Sequence, residues 1–145
     1  MLEVNNLEIR AADRILVDNI SFEVKKNESL GIIGESGSGK TVTVLSLMGL
    51  LNPEVCRLSG KIKLFEREIL NLSESKIAEI RLSKIAMIYQ NPFNTFSPVE
   101  KIDNQIDRIY KIKKLKRDEE RINYLLDMAV LNKNHLKKYP HELSG

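Results

Sequence analysis

Eight consecutive residues, Gly34-Glu35-Ser36-Gly37-Ser38-Gly39-Lys40-Thr41, offer the clearest chemistry in this sequence. They match the pattern G-x-x-x-x-G-K-[ST] in full, the pattern of a loop that holds phosphate. A triphosphate is a dense anion. Small residues such as Gly34, Ser36, Gly37, Ser38 and Gly39 let backbone N–H groups come close to its oxygens, and Glu35 belongs to the same loop. A helix beginning near Gly39 aims its positive N-terminal end at those oxygens. Lys40 supplies a mobile cation to the β- and γ-phosphates, and the Thr41 hydroxyl is a ligand for Mg²⁺. The competing reading is a plain glycine-rich turn between a strand and a helix. An apolar run before the loop and an apolar helix after it favour the phosphate reading. A loop of this kind does not by itself name a reaction.

The flanking elements must position that loop. Ser29 to Ile33, Ser-Leu-Gly-Ile-Ile, reads as a short buried strand running into the glycines. Lys40 to Leu51 is apolar almost all round, as suits a helix packed on a sheet, and Asn52-Pro53 ends it. Before the loop, Leu2, Val4, Leu7 and Ile9 nearly alternate, with a slip at Asn5-Asn6 that predicts a bulged strand. Ile20, Phe22 and Val24 give a second strand. Gly60 to Phe65 gives another, with Ile62 and Leu64 on one face. Ser73 to about Leu82 reads as a polar helix, and Ile85 to Tyr89 as a further strand stopped by Asn91-Pro92. From about Ser97 the character is helical. Ile102, Ile106, Ile109 and Tyr110 share one helical face, and Ile122, Leu125, Leu126, Ala129 and Val130 share another.

Composition bounds what the chain can be. At 145 residues it is one domain or part of one, and with 42% apolar residues it can bury a core. The net charge of +3 is no argument for nucleic acid, which is not expected as a partner. The charge is uneven: from Lys101 onward there are eleven Lys/Arg against seven Asp/Glu. The densest stretch, Lys111 to Arg117, is followed at once by Asp118-Glu119-Glu120, which favours a solvated helix face and turn over a nucleic-acid tag. Cys56 is the single cysteine, so no disulfide framework or cysteine metal site is expected. The start lacks the pattern of a signal peptide, and no apolar run approaches the ~20 residues of a membrane span.

Three further segments narrow the reaction. Ile85-Ala86-Met87-Ile88-Tyr89-Gln90-Asn91-Pro92 sets a glutamine at the end of a strand, Phe96-Ser97-Pro98-Val99 follows, and the sequence closes with Tyr139-Pro140-His141-Glu142-Leu143-Ser144-Gly145. Taken one at a time, Gln90 reads as an ordinary loop residue and Leu-Ser-Gly as uninformative. In this order behind the phosphate loop, they resemble the ATPase subunits of ATP-binding cassette (ABC) importers. Tyr89-Gln90-Asn91-Pro92 looks like the Q-loop, and Leu143-Ser144-Gly145 like the start of the LSGGQ signature. The Gln-Asn-Pro…Ser-Pro spacing and the Tyr-Pro-His-Glu lead-in are similar to the branch serving oligopeptide, dipeptide and nickel uptake.

The resemblance implies an α/β fold of the P-loop NTPase type: an ABC core, incomplete here, with an antiparallel β portion at the N-terminus, plus a helical subdomain. It divides the chain into residues 1–96, carrying the phosphate loop and Q-loop, and 97–145, the helical part. It implies ATP and Mg²⁺ as ligands. Residues 34–41 would hold the phosphates, Thr41 and Gln90 would meet the metal, and Gln90 would act in catalysis. Ser144 and Gly145 would close on the ATP of a second ATPase subunit, in a homo- or heterodimer. Membrane-spanning permease subunits would dock on the helical part, with an extracytoplasmic solute-binding protein acting indirectly. The location implied is the cytoplasmic face of the membrane. His141 would be a positioning residue before the signature, and His135 a surface residue.

Two local departures stand out. The family's adenine-stacking aromatic aligns with Ala11, which puts base selectivity in question, and Leu82-Ser83 replaces a common glycine. The sequence also stops within the signature, before the Walker B strand with its Mg²⁺-holding acid. A fragment of an importer ATPase is therefore expected, inactive by itself. The alternatives are a nucleotide-binding sensor or remnant that does not hydrolyse ATP, and a P-loop kinase, against which the Q-loop and the Leu-Ser-Gly ending argue.

Overall fold

Val4, Leu7 and Ile9 are buried along one face of strand β1, Leu2–Ala11, and the interruption between them is a true bulge. The register against both neighbouring strands shifts after Val4-Asn5, and Asn6 takes a left-handed φ of 49°. Its N–H is satisfied by the Ser21 hydroxyl at 2.8 Å. Gly60 faces the same irregularity. A Cβ there would lie 2.3 Å from the Asn6 carbonyl oxygen, so this position admits no side chain. Strand β2, Arg14–Val24, returns antiparallel to β1 across the two-residue Ala12-Asp13 connection. Strands β3, Cys56–Leu64, and β4, Arg67–Glu68, complete a four-stranded antiparallel sheet in the order β2-β1-β3-β4. As the alternation predicts, Ile62 and Leu64 are both buried. The short β4 has no periodic signal of its own. It forms because Phe65 and Glu66, both at positive φ, turn the chain back so that Leu64 pairs with Arg67.

The computed structural model of the chain describes residues 1–91 and 95–143. It divides into two compact units, Met1–Ala86 and Met87–Gly145. In the first, helix α1, Lys40–Leu47, and helix α2, Glu74–Ser83, join the sheet around Val4, Leu7, Ile9, Val17, Ile62, Leu64, Ile69, Ile77 and Ile80. Helix α1 is shorter than its apolar run predicts. Gly49 at φ 61° stops it: the Leu50 N–H reaches the Leu45 carbonyl and the Gly49 N–H reaches that of Ser46, both at 3.0 Å, the paired bonds of a Schellman cap. Arg81 on α2 then donates to the freed carbonyls of Met48 and Gly49, at 3.3 and 3.0 Å.

Two expected strands do not form. Ser29–Ile33 and Ile85–Tyr89 carry no ladder bonds. Strand structure needs a neighbour, and the described residues provide none beside either segment. Several of their apolar side chains are accordingly left open, with Ile33 97% and Ile88 91% exposed, whereas Ile85 packs against the sheet core.

The second unit is helical. Helix α3, Ile102–Ile112, and helix α4, Glu119–Met128, pack with the short α5, Lys133–Leu136, around Ile122, Leu126 and Leu136. Ile102, Ile106 and Tyr110 cover that core as their spacing predicts. Ile109 and Leu125, expected on the packed faces, are instead about half exposed. Val130 lies past the end of α4 at φ 57°, because Leu131 and Val130 close a Schellman cap onto Leu126 and Asp127. Gln105 pins the loop ahead of α3. Its oxygen accepts from the Ser97 N–H at 2.9 Å, and its amide donates to the carbonyls of Ser97 and Glu100.

Candidate functional site

The phosphate-type loop is shaped by two glycines that no other residue replaces freely. Gly37 and Gly39 sit at φ 83° and 88°, and a Cβ on Gly39 would lie 2.6 Å from the Leu16 carbonyl oxygen of β2. Gly39 thus bends the chain into α1 while the loop rests against the sheet. Glu35 closes an internal turn, its carbonyl accepting from the Ser38 N–H at 3.2 Å. Helix α1 begins at Lys40 with no acidic residue in its first turn, so nothing there opposes the positive field of its N-terminus.

Lys40 occupies the concave side of this loop. Its ammonium donates to the carbonyls of Gly34 and Glu35, both at 2.7 Å, and lies 3.4 Å from the Ser38 hydroxyl. Two backbone oxygens hold the cation over the turn while residues 34 to 38 stay exposed. Thr41 is also exposed, one residue into α1. Thr43, by contrast, is buried, and its hydroxyl donates back to the Gly39 carbonyl at 2.9 Å, so the two threonines of the turn do different work. Residues Gly34, Glu35, Ser36, Gly37, Ser38, Gly39, Lys40 and Thr41 therefore lie together in one open cradle. Gln90 is exposed and belongs to the second unit. Ser144 and Gly145 lie outside the described residues.

Beside Ala11 lies an open depression of about 530 Å³ lined by Ala12, Asp13, Glu54, Val55 and Arg57. Among the described residues, no aromatic ring borders it. His135 does more than line the surface: its Nδ1 accepts from the Asn132 N–H at 3.0 Å and completes a capping box on α5. His141 stacks on Tyr139 with ring centres 5.7 Å apart, at the short 3₁₀ turn Pro140–Glu142. Arg117, from the lysine-rich stretch, is not solvated like its neighbours. It pairs with Asp107, Asp103 and Glu119, and these carboxylates hold it charged well above the usual arginine range. A lone arginine in a basic run carries no sequence mark of that role.

The ABC transporter family model matches residues 17–145, from the middle of β2 through the loop, the glutamine segment and the helical unit. The chain belongs to the ABC transporter family. This cassette chain is 36% identical to the oligopeptide transport ATP-binding protein AppD of Bacillus subtilis, across all of its own length and 47% of that protein's. It is 36% identical to the oligopeptide transport ATP-binding protein OppD of Salmonella typhimurium, across all of its own length and 46% of the other's. The cassette chain thus spans about half the length of the curated relatives it matches. Among solved structures, a dimeric post-hydrolysis state of the ATP-binding cassette MJ0796 bound to ADP and Pi superposes with a TM-score of 0.78, at 23% identity, over 99% of this chain and 63% of that one. A likeness at that identity speaks for the fold, which is the α/β cassette with its antiparallel sheet and helical part.

Proposed function

We propose that this chain is the ATP-holding portion of an importer ATPase of the peptide or nickel type, coupling ATP binding and hydrolysis to solute uptake. The observation that carries the reading is the cradle at residues 34–41, with Lys40 held over it, in a chain of the ABC transporter family. The relatives named for oligopeptide transport support the peptide branch.

In this reading, Lys40 releases the carbonyls of Gly34 and Glu35 and turns its ammonium to the phosphate oxygens. The backbone N–H groups of the loop and the N-terminus of α1 take up the rest of the charge. The donor set fits Mg²⁺, because Thr41 offers an open hydroxyl at the turn where the phosphates would lie. When bound, the ion neutralises charge on the transferred phosphoryl group. Gln90 is assigned to the reacting water and to the coupling path, and Ser144 and Gly145 to the ATP of a second ATPase subunit. Residues 1–96 would carry nucleotide binding, and 97–145 would lead to permease subunits at the cytoplasmic membrane face.

The test is nucleotide binding and phosphate release by the longest natural polypeptide carrying this sequence, with and without Lys40→Ala. Loss of binding or turnover in the variant is expected. Undiminished ATPase activity would remove Lys40 and its loop from the site.

A further inference from the structure

The end of helix α3 carries a feature that the nucleotide reading leaves unused. Lys111, Lys113, Lys114 and Lys116 are all exposed, and among the described residues none of them forms an ion pair. Asp103, Asp107 and Glu119 converge on Arg117, and an Asp118 oxygen accepts from the Arg121 N–H at 2.8 Å. Arg117 thus engages three carboxylates in ion pairs of its own, and none of the three pairs with a lysine. Between the lysines, Ile109, Ile112 and Leu115 are 51%, 54% and 59% exposed. A Schellman cap at Lys114, φ 53°, turns Leu115 back so that its N–H meets the Tyr110 carbonyl at 2.9 Å. Apolar side chains and free ammonium groups thus alternate over one short surface.

We propose that residues 109–116 form a docking surface for an anionic lipid bilayer. The lysines meet the headgroup charge, and Ile112 and Leu115 seat at the boundary with the acyl chains. Unpaired lysines give the complementarity to a negative surface, and exposed aliphatic residues among them suit an interface that is apolar a few ångströms down. Nucleic acid is the weaker fit: Tyr110, the one ring in the stretch, packs on the helical core and offers no stacking platform. The inference does not rest on the phosphate cradle, which lies in the other unit.

The test is flotation of the longest natural polypeptide carrying this sequence, made by cell-free translation in the presence of vesicles. Phosphatidylcholine mixed with phosphatidylglycerol is compared with phosphatidylcholine alone. Flotation with the anionic vesicles only, weakening as salt is raised, is expected. Lys113→Glu/Lys114→Glu/Lys116→Glu should cut the partitioning by well over about a hundredfold. Lys113→Gln/Lys114→Gln/Lys116→Gln should cut it less, and Ile112→Ser/Leu115→Ser should also weaken it. Equal flotation with neutral vesicles, none with either, or indifference to the lysine changes would overturn the proposal. So would lysine-dependent binding that ignores the serine changes and is displaced by a single-stranded RNA, which would assign the surface to nucleic acid.

Discussion

At the scale of single residues, Lys40 and Ala11 bracket what the site can and cannot read. Lys40 is held by the carbonyls of Gly34 and Glu35, which in the proposed reading a phosphate would replace. Recognition of the base is another matter. The depression beside Ala11 has aliphatic, acidic and arginine walls and, among the described residues, no ring, so a purine there lacks an aromatic face to stack on. Stacking is worth roughly 1–3 kcal/mol per base where it has been measured with nucleic acids. ATP and GTP should therefore compete nearly evenly, and Ala11→Tyr should tighten ATP roughly tenfold. Equilibrium binding of a fluorescent ATP analogue, with GTP as competitor, reads both effects. An Ala11→Tyr protein with unaltered affinity would mean that another side chain holds the base and that Ala11 is not the stacking position.

At the scale of elements, three helices end in the same left-handed cap on residues of very different tolerance. Gly49 accepts its φ of 61° without cost, and a Cβ there would meet Ile77 Cδ1 at 2.5 Å. Val130 adopts φ 57° as a β-branched residue, 91% exposed, with no packing in return. The left-handed conformation costs a non-glycine residue about 1–2 kcal/mol, partly offset by the greater unfolded-state freedom of glycine. Val130→Gly should thus stabilise the helical unit by about 0.5–1 kcal/mol, seen as a higher denaturant midpoint, whereas Gly49→Ala should destabilise the sheet unit. A lower midpoint for Val130→Gly would show that the valine side chain contributes a contact after all. Arg81 gives the second test at this scale. Its guanidinium is mostly covered and caps the α1 carbonyls, while its partner Glu74 is 75% exposed. Arg81→Met should cost about 1–2 kcal/mol, and Glu74→Ala little, since exposed pairs contribute little. Equal losses in the two variants would move the effect to the ion pair. Neither arginine role was readable in the sequence. Arg81 reaches Met48 and Gly49 across 33 and 32 residues, and Arg117 reaches Asp107 and Asp103 across 10 and 14, partners chosen by the fold. The glycine-shaped loop at residues 34–41 ahead of α1, by contrast, was legible because its eight residues are contiguous and its geometry is local. The β1 bulge and the paired burial of Ile62 and Leu64 were legible for the same reason. The apolar runs at 29–33 and 85–89 misled because apolarity specifies burial, whereas a strand also needs a neighbour to pair with.

At the scale of the whole chain, those same two runs determine how the 145 residues should behave as a purified polypeptide. The sheet that does form is antiparallel and pairs β1 on both sides, so its core is satisfied. Leu30, Ile32 and Ile33 in one unit and Ile88 and Tyr89 in the other remain open to solvent, several of them large. Full burial of such a side chain is worth about 1.5–3 kcal/mol, against a net stability of only about 5–15 kcal/mol for a typical domain. Open apolar backbone is also a template for association. The polypeptide should bind a hydrophobic dye strongly, lose solubility as its concentration rises, and melt without a sharp transition. Turnover should be absent as well. Phosphoryl transfer to water needs a held metal ion and an oriented water, and these residues include Thr41 and Gln90 but no apolar strand ending in adjacent Asp and Glu. Phosphate release from the pure chain should therefore equal that of Lys40→Ala. The measurement pairs calorimetry and sedimentation with a phosphate assay. A monomer with a cooperative melt and Lys40-dependent turnover would show that segments 29–33 and 85–89 need no further partner, and that an acid within these residues completes the site.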